Sequence, residues 1–533
     1  MKKVFACLLM VMFFAGIANA QLQYQPYSYQ FYQKLNTAVY SPSNDLHTSL
    51  KPYLIADSSA IRPLYDSLLM NNVDTKGKNW LERVLFYKHL VDIKTKDYTF
   101  YLDYLPDLQV GREFSQPTTT FLNTRGYQLG GTISSNFFFY TSGFENQGRF
   151  ANYETNYINT VGMIPGEAYD KSYGKTTKDW SGVTSLIGYA PSKGITIVLG
   201  EDKTFIGDGY RSVLLSDYAS AYPLLRFTAN LGTHVQYMAM WSYMEDQNAI
   251  KFNAYGNNQF DNNRRKWGVF HYIDWNITNR ASIGFFNALI AEEANDQGQS
   301  HGFDVNYIDP VLFASSLGPA KPAPDHTLIG FNGKYKVLDK TTVYGQLLFD
   351  QASSPDNNSS RSAWQLGFRG SDLFTVSKLN YLFEYNTSKP YTYSNQYPIV
   401  NYAELSEPLA DPLGANYKEF VGILNYSIGR FDLQGQLNYA KYGLNTVGVN
   451  YGKDITLADN VNLPPTIGTT GQGLATSLKY AEGTVSYLLN PKYNLRIEVG
   501  GLVRQELNSV SDTKTVLLTL GLRSTFRDLY HDF

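Results

Sequence analysis

Phe431-Asp432-Leu433-Gln434-Gly435-Gln436-Leu437-Asn438-Tyr439-Ala440-Lys441-Tyr442 is the stretch whose reading decides the fold. Phe431, Leu433, Leu437 and Tyr439 fall on one face of an extended chain, and Asp432, Gln434, Gln436 and Asn438 on the other, because successive side chains of a strand point to opposite sides. The pattern recurs. Leu495, Ile497, Val499 and Val503 alternate with Arg496, Glu498, Arg504 and Glu506. Val343, Leu347 and Phe349 alternate with Tyr344, Gln346 and Asp350, and Val516, Leu518, Leu520 and Leu522 with Thr519, Gly521 and Arg523. One apolar and one polar face per strand is the mark of an antiparallel sheet.

Outward from these stretches, eighteen strands are expected, near 96–112, 126–134, 136–146, 181–190, 194–203, 222–232, 233–245, 265–277, 280–292, 326–337, 341–352, 361–370, 374–386, 418–428, 431–442, 475–489, 494–507 and 514–526. Short turns such as Ala190-Pro191-Ser192-Lys193, Thr278-Asn279, Asp339-Lys340 and Asn490-Pro491-Lys492-Tyr493 alternate with long connections at 147–180, 293–325, 387–416 and 443–473. Gathering the long loops at one end, with an even strand count, is the habit of a transmembrane barrel. Strands of roughly ten residues suffice to cross a bilayer at a tilt. The expected fold is therefore an all-β transmembrane antiparallel β-barrel of about eighteen strands with a small N-terminal helical element. A large secreted β protein such as a propeller is the alternative, and no repeat of blade length supports it.

Composition agrees. The chain has 533 residues, formal net charge −2, only 17% charged residues, and 43 Tyr and 31 Phe. Near-neutral charge argues against nucleic acid as a partner. Abundant aromatics suit the girdles of a barrel at its two lipid–water interfaces. Residues 1–20 read as a signal peptide: Lys2 and Lys3, an apolar run from Val4 to Ile17, then Ala18-Asn19-Ala20 as a small-x-small cleavage site, with Gln21 the expected first mature residue. An uncleaved anchor is the other reading. The only cysteine, Cys7, lies in that segment, so disulfides, cysteine metal sites and cysteine nucleophiles are not expected. Residues 21–95 form the N-terminal periplasmic element. Its helices are expected at 57–71, with Ile61, Leu64, Tyr65, Leu68 and Leu69 on one face, Ser58 or Ser59 as cap and Pro63 in the first turn, and from about Asn79 to Val91, with Trp80, Val84, Tyr87 and Val91 aligned. The barrel occupies 96–533. An exported, thiol-free, two-periodic chain points to the outer membrane of a Gram-negative bacterium, with outer-membrane lipid as its first partner.

Candidate sites are few. Gly207, Asp208, Gly209, Arg211 and Ser212 lack the Gly-Lys-Ser/Thr ending of a phosphate loop. They read as a tight loop folded into the lumen, with Asp208 and Arg211 pairing to wall charges, or as ligand contacts. Arg496, Glu498, Arg504 and Glu506 read as a lumen ladder of salt bridges, or as a selectivity lining. Tyr391, Tyr393, Tyr397 and Tyr402, with Asn395 between them, offer rings and amides to a glycan, or pack on themselves as a cap over the barrel. His47, His89, His234, His271, His301, His326 and His531 show no metal-binding spacing. Glu292, Glu293 and Asp296 are a solvated rim or a calcium site. No cofactor is expected, and no nucleophile motif supports a hydrolase.

Several stretches resemble a known family. Leu46-His47-Thr48-Ser49-Leu50-Lys51-Pro52-Tyr53, Trp80-Leu81-Glu82-Arg83-Val84-Leu85-Phe86 and Asp103-Tyr104-Leu105-Pro106-Asp107 resemble patches of the Wzi-like capsule-assembly outer-membrane proteins. So do Gly207 to Ser216, Asn306-Tyr307-Ile308-Asp309-Pro310 and Tyr344-Gly345-Gln346-Leu347-Leu348-Phe349-Asp350. Glu384-Tyr385-Asn386, Pro390-Tyr391-Thr392-Tyr393-Ser394 and Pro412-Leu413-Gly414-Ala415-Asn416 are similar to the RemB gliding-motility branch, although Asp411 stands where a His is expected there. The resemblance implies an eighteen-stranded, non-enzymatic barrel acting at the cell surface, in gliding or in polysaccharide assembly and attachment. Surface polysaccharide and gliding or secretion machinery would be its partners. A channel for small solutes or oligosaccharides is the competing expectation.

Overall fold

The computed structural model describes residues 22–56, 59–172, 175–247, 263–295, 298–308, 324–352 and 360–533. The signal-peptide stretch, Ser58 and Asp296 lie outside the described residues. Eighteen strands close into one antiparallel barrel. They are β1 (Tyr98–Glu113), β2 (Thr118–Ile133), β3 (Phe137–Arg149), β4 (Lys178–Ser192), β5 (Ile195–Asp202) and β6 (Tyr222–Leu231). Next come β7 (Val235–Asp246), β8 (Arg264–Asn276), β9 (Ala281–Glu292), β10 (Asp325–Leu338), β11 (Thr341–Asp350) and β12 (Ser362–Gly370). The last are β13 (Leu379–Ser388), β14 (Tyr417–Ile428), β15 (Phe431–Leu444), β16 (Leu474–Asn490), β17 (Leu495–Leu507) and β18 (Asp512–Ser524).

Closure pairs the last strand with the first, from Leu517 opposite Glu113 to Leu522 opposite Leu108. β18 leaves the first part of β1 uncovered, and the short strand Val91–Lys94 pairs there instead, Val91 opposite Leu102 and Lys94 opposite Thr99. A closed barrel needs this because lipid offers no partner to an open strand edge. Among the described residues no helix is long and apolar enough to cross a membrane; strands do the crossing.

The alternation seen in the sequence becomes an inside and an outside. Phe431, Leu433, Leu437 and Tyr439 are exposed on the outer wall, and Asp432, Gln436 and Asn438 are buried in the lumen. Val343, Leu347, Phe349, Ile497, Val499, Val503, Val516, Leu518 and Leu520 join the outer belt. Such an apolar exterior over a polar interior is stable only in lipid, and the molecule is a transmembrane barrel of the outer-membrane kind. The short turns, such as 193–194, 339–340 and 429–430, lie at one end, the periplasmic side in barrels of this kind; the long connections lie at the other.

Two boundaries differ from expectation by five residues or more. β2 begins at Thr118, not near 126; its first residues carry Thr119, Asn123 and Arg125 on the outer side, so the hydrophobic alternation is missing there. β13 begins at Leu379, not 374. Positive φ at Asp372, Phe374, Thr375 and Lys378 bends this stretch into a turn, and Phe374 stands 84% exposed.

The N-terminal helices are shorter than expected, Arg62–Leu68 with Pro63 in its first turn and Trp80–Phe86 capped by Asn79, whose side chain accepts from the Glu82 N–H. Val91 lies in the seam strand rather than on the second helix. Phe31, Leu35, Val39, Ile55, Ile61, Tyr65 and Leu69 form an apolar cluster with Phe526. The segment reaches into the barrel: Leu50–Lys51 pairs with Phe205–Ile206 of the loop between β5 and β6.

Candidate functional site

That loop, residues 203–221, folds into the lumen and is buried along its central stretch. Asp208 accepts hydrogen bonds from Thr48 Oγ1 at 2.5 Å, Tyr40 at 3.0 Å and the wall residue Asn332 at 3.3 Å, with the Lys334 ammonium 3.9 Å away. Burial alone would raise its pKa, but Lys334 and Lys51 outweigh that and hold the carboxyl down at about 2. Lys51 Nζ donates to the Gly207 carbonyl at 2.5 Å. The glycines are required by close approach: a Cβ on Gly207, whose φ is +149°, would meet Gln346 at 2.5 Å, and one on Gly209 would collide with the Glu384 carboxylate. Ser212 Oγ donates to the Ile206 carbonyl at 2.6 Å and accepts from the Leu214 and Leu215 N–H groups at 3.1 and 3.2 Å, which locks the bend.

Arg211 is the charged centre of the lumen. It reaches Glu419 of β14 at 3.1 Å and Asp532 at 3.0 Å, with Asp411 at 3.9 Å. Asp532 also accepts from Gln436 and Asn438 of β15 at 2.6 and 3.1 Å. The backbone N–H groups of Tyr210 and Arg211 donate to Glu384 of β13 at 3.0 and 3.1 Å. One guanidinium thus gathers three carboxylates from the wall, a surface loop and segment 525–533. Losing it would strand buried charge, the costliest way to break such a group.

Segment 525–533 leaves β18 and runs up the inside of the barrel. Phe526 packs on Phe31 with ring centroids 5.3 Å apart, Asp528 accepts from the Tyr29 N–H at 2.9 Å, and Tyr530 packs on Tyr218. His531 pairs with Glu154 of the long loop after β3 at 2.5 Å. Arg496, Glu498, Arg504 and Glu506 all face inward from β17. Arg496 pairs with Glu498 at 2.7 Å, and Glu498 with Arg523 of β18 at 3.2 Å. Arg523 continues the chain to Asp107 of β1. Arg504 pairs with Glu506 at 2.9 Å and donates to the Phe533 carbonyl at 3.1 Å.

The tyrosines read as glycan contacts or as a self-packed cap are mostly buried in the plug. Tyr391, Tyr393 and Tyr402 are fully buried and Asn395 nearly so; only Tyr397 is open, at 49%. Each buried ring sends its hydroxyl to a backbone carbonyl, Tyr391 to Asn450, Tyr393 to Val213 and Tyr402 to Leu214, at 2.6 to 2.8 Å. That satisfies the polar end of a ring whose body is sealed from water. The Asn395 side chain caps a local turn at the Tyr397 N–H. Val213, Leu214, Leu215, Tyr393, Val400, Tyr402 and Leu409 form one apolar cluster with the wall residues Met240, Phe270, Phe286 and Leu348, so Tyr393 and Tyr402 pack as part of the cap, and Tyr397 is the ring of this set that stays open. Glu292 of the supposed rim pairs with Arg264 and His301 at 3.8 and 3.2 Å. Among the described residues no group of three or more His, Cys, Asp or Glu is arranged to hold a metal ion.

Sequence reasoning missed the better candidate. A cavity of 450 Å³ lies between the plug and the wall on the β1–β5 side. Its rings include Tyr24, Tyr27, Tyr140, Phe144, Phe205 and Phe526, and its charged groups include Glu167, Asp202, Asp217, Asp528, Lys203 and Arg527. Tyr24 donates to Asp202 at 2.6 Å, Arg527 pairs with Glu167 at 2.7 Å, and the Arg527 guanidinium lies 4.2 Å from the Phe144 ring centroid. Burial, with Asp217 adding to it, pushes the Asp528 carboxyl up to about 7. The cavity reaches the upper part of β4, which pairs with β3 throughout but meets β5 only from Ser185 onward. Gly182 faces it there, with nothing within 4 Å of where a Cβ would stand. Rings beside carboxylates suit a polyhydroxylated ligand, apolar faces stacking and acidic oxygens accepting from hydroxyls. No single stretch signals this site, because its walls come from separate strands, the N-terminal segment, two loops and segment 525–533.

Comparison with solved structures places the fold. Wzi of Escherichia coli, described as an outer-membrane protein involved in group 1 capsule assembly and a carbohydrate-binding β-barrel, aligns over 95% of this chain and 100% of its own, with 13% identity and a TM-score of 0.54. OprD of Pseudomonas aeruginosa aligns over 84% of this chain and 100% of its own at 10% identity and TM-score 0.43, and OccAB2 of Acinetobacter baumannii over 79% and 97% at 8% and 0.42. No protein-family model matches the sequence, and no curated relative does.

Proposed function

We propose that this chain is a non-enzymatic outer-membrane barrel that binds polysaccharide and holds it at the cell surface. The observation that carries the reading is the 450 Å³ cavity of rings and carboxylates inside a barrel whose centre is occupied by an apolar cluster and the Arg211 charge group. A solute path would need that centre open. The likeness to a carbohydrate-binding barrel supports the reading. A role in gliding is the narrower proposal. It draws on the RemB-like stretches around Glu384, Pro390 and Pro412.

The test is titration of the purified chain with surface polysaccharide from the source cells, followed by calorimetry. Binding is expected, and Phe144→Ala and Tyr140→Ala, which remove rings from the cavity, are expected to weaken it by about tenfold, the loss of roughly 1–2 kcal/mol of stacking per ring. Unchanged affinity in both variants would remove the cavity from the account.

A channel is the second reading, favoured by one observation. A further cavity of 430 Å³, lined by His47, Asp45 and Arg226 toward the short-turn end, shares Pro52 with the first. Two voids on one side of the plug outline a route for small solutes, and conductance separates it from the binding role.

A further inference from the structure

On its lipid-facing side the wall carries charges, and several stand beside an opposite one. Arg265 of β8 stands opposite Glu245 of β7, 3.8 Å away. Arg125 of β2 is opposite Glu145 of β3. Lys514 of β18 has Asp512 at 3.6 Å. The outer side of β14, β15 and β16 breaks this habit. Lys418 is directly opposite Lys441, and Lys479 lies one step below on the next strand, opposite Tyr439. All three are exposed. Among the described residues none has a carboxylate in ion-pair reach, and Lys441 has only the Tyr439 ring, 5.8 Å away. Like charges directly opposite on neighbouring strands are destabilising, more so beside a low-dielectric lipid interior. An anion between them reverses the sign.

Directly beneath lies an outer groove of 780 Å³ headed by Lys479. The row Phe383, Gly422, Leu437, Ala481, Val503 crosses five strands in register, tall side chains alternating with small ones. Gly422 and Ala481 make the floor, and Phe420, stacked edge-on to Tyr385 at 4.6 Å, makes one bank. The lysines sit toward the long-loop end of their strands, the end that faces the outer leaflet in barrels of this kind.

We propose that this patch binds a phosphorylated glycolipid of the outer leaflet, with the phosphate between Lys418, Lys441 and Lys479 and an acyl chain laid in the groove over Gly422. Phosphate supplies the missing countercharge, and the groove is lined for saturated hydrocarbon. The site is on the opposite side of the wall from the cavity proposed for polysaccharide, so either can fail alone.

Native mass spectrometry of the intact chain in detergent tests it, with three probes: a lipid A-type disaccharide bearing a phosphate, its phosphate-free counterpart, and phosphatidylcholine. The phosphorylated probe is expected to bind at least about tenfold more tightly than either other lipid, as roughly expected when several lysines meet one anionic headgroup. The triple variant K418Q/K441Q/K479Q is expected to abolish that preference. G422L, which fills the groove, is expected to weaken both disaccharide lipids while leaving the phosphate preference intact. Equal binding of the phosphorylated and phosphate-free probes by the unaltered chain would overturn the proposal whatever the variants do. So would a triple variant that keeps its preference while showing the folded barrel's mobility on unheated gels.

Discussion

The two sides of the lumen are built differently. Toward β10–β15 the interior is tied: Arg211, Glu384 and Glu419 lock the inward loop to the wall through bonds of 3.0 to 3.1 Å, and Asp208 accepts from Asn332 at 3.3 Å with Lys334 3.9 Å away. Toward β1–β7 the plug stands off the wall and leaves cavities of 450 and 430 Å³. The interior is held in two ways, by an apolar cluster that seats the inward loops on the wall and by the hydrogen-bonded charges around Arg211. Space remains where both give out. The tied side sets the shape, and the open side is free to hold something.

The comparison can be broken at its strongest point. Arg211→Met should cost about 3–5 kcal/mol, the usual price of stranding buried carboxylates, read as a lower urea midpoint of the refolded barrel. The pH dependence of segment 525–533 comes next. Burial would lower the pKa of His531, but the Glu154 carboxylate and their hydrogen bond, with Glu482 assisting, carry it up to about 9. A raised folded pKa means this stability is complete below the ordinary value of 6.5 and is lost as pH rises through about 9. Asp528 acts with the same sign in a lower window, between its ordinary 3.8 and about 7. The thermal midpoint should therefore fall from pH 7 to pH 10, and His531→Gln should flatten that limb.

Gly209→Ala forces a Cβ against Glu384 and should cost about 1–3 kcal/mol as overpacking. On the open side, Tyr24→Phe removes only the bond to Asp202 and should cost about 1 kcal/mol. If it equalled Arg211→Met, the contrast between the two sides would be wrong. Tyr397→Ala, at the exposed position among the loop tyrosines, should leave stability within about 0.5 kcal/mol of the parent, as surface changes do.

The wall was legible in the sequence because lipid outside and polar packing inside impose a period of two on every strand. It faltered where an outer face turned polar, as at Thr119, Asn123 and Arg125 of β2. The inward loop announced itself through Gly207, Gly209 and the charges beside them. The plug did not. Tyr391 and Tyr393 have positive φ, 63° and 75°, and follow no period, so a rich set of rings read equally as a binding surface and as packing. The cavity was illegible for a simpler reason: Tyr24, Phe144, Asp202 and Phe526 meet only after the barrel has closed.

The most direct measurement is single-channel conductance of the full chain in a planar bilayer. A centre filled by the apolar cluster and the Arg211 group should give no steps at all. Large, steady steps from the intact chain would contradict the account and make the two cavities parts of a solute path.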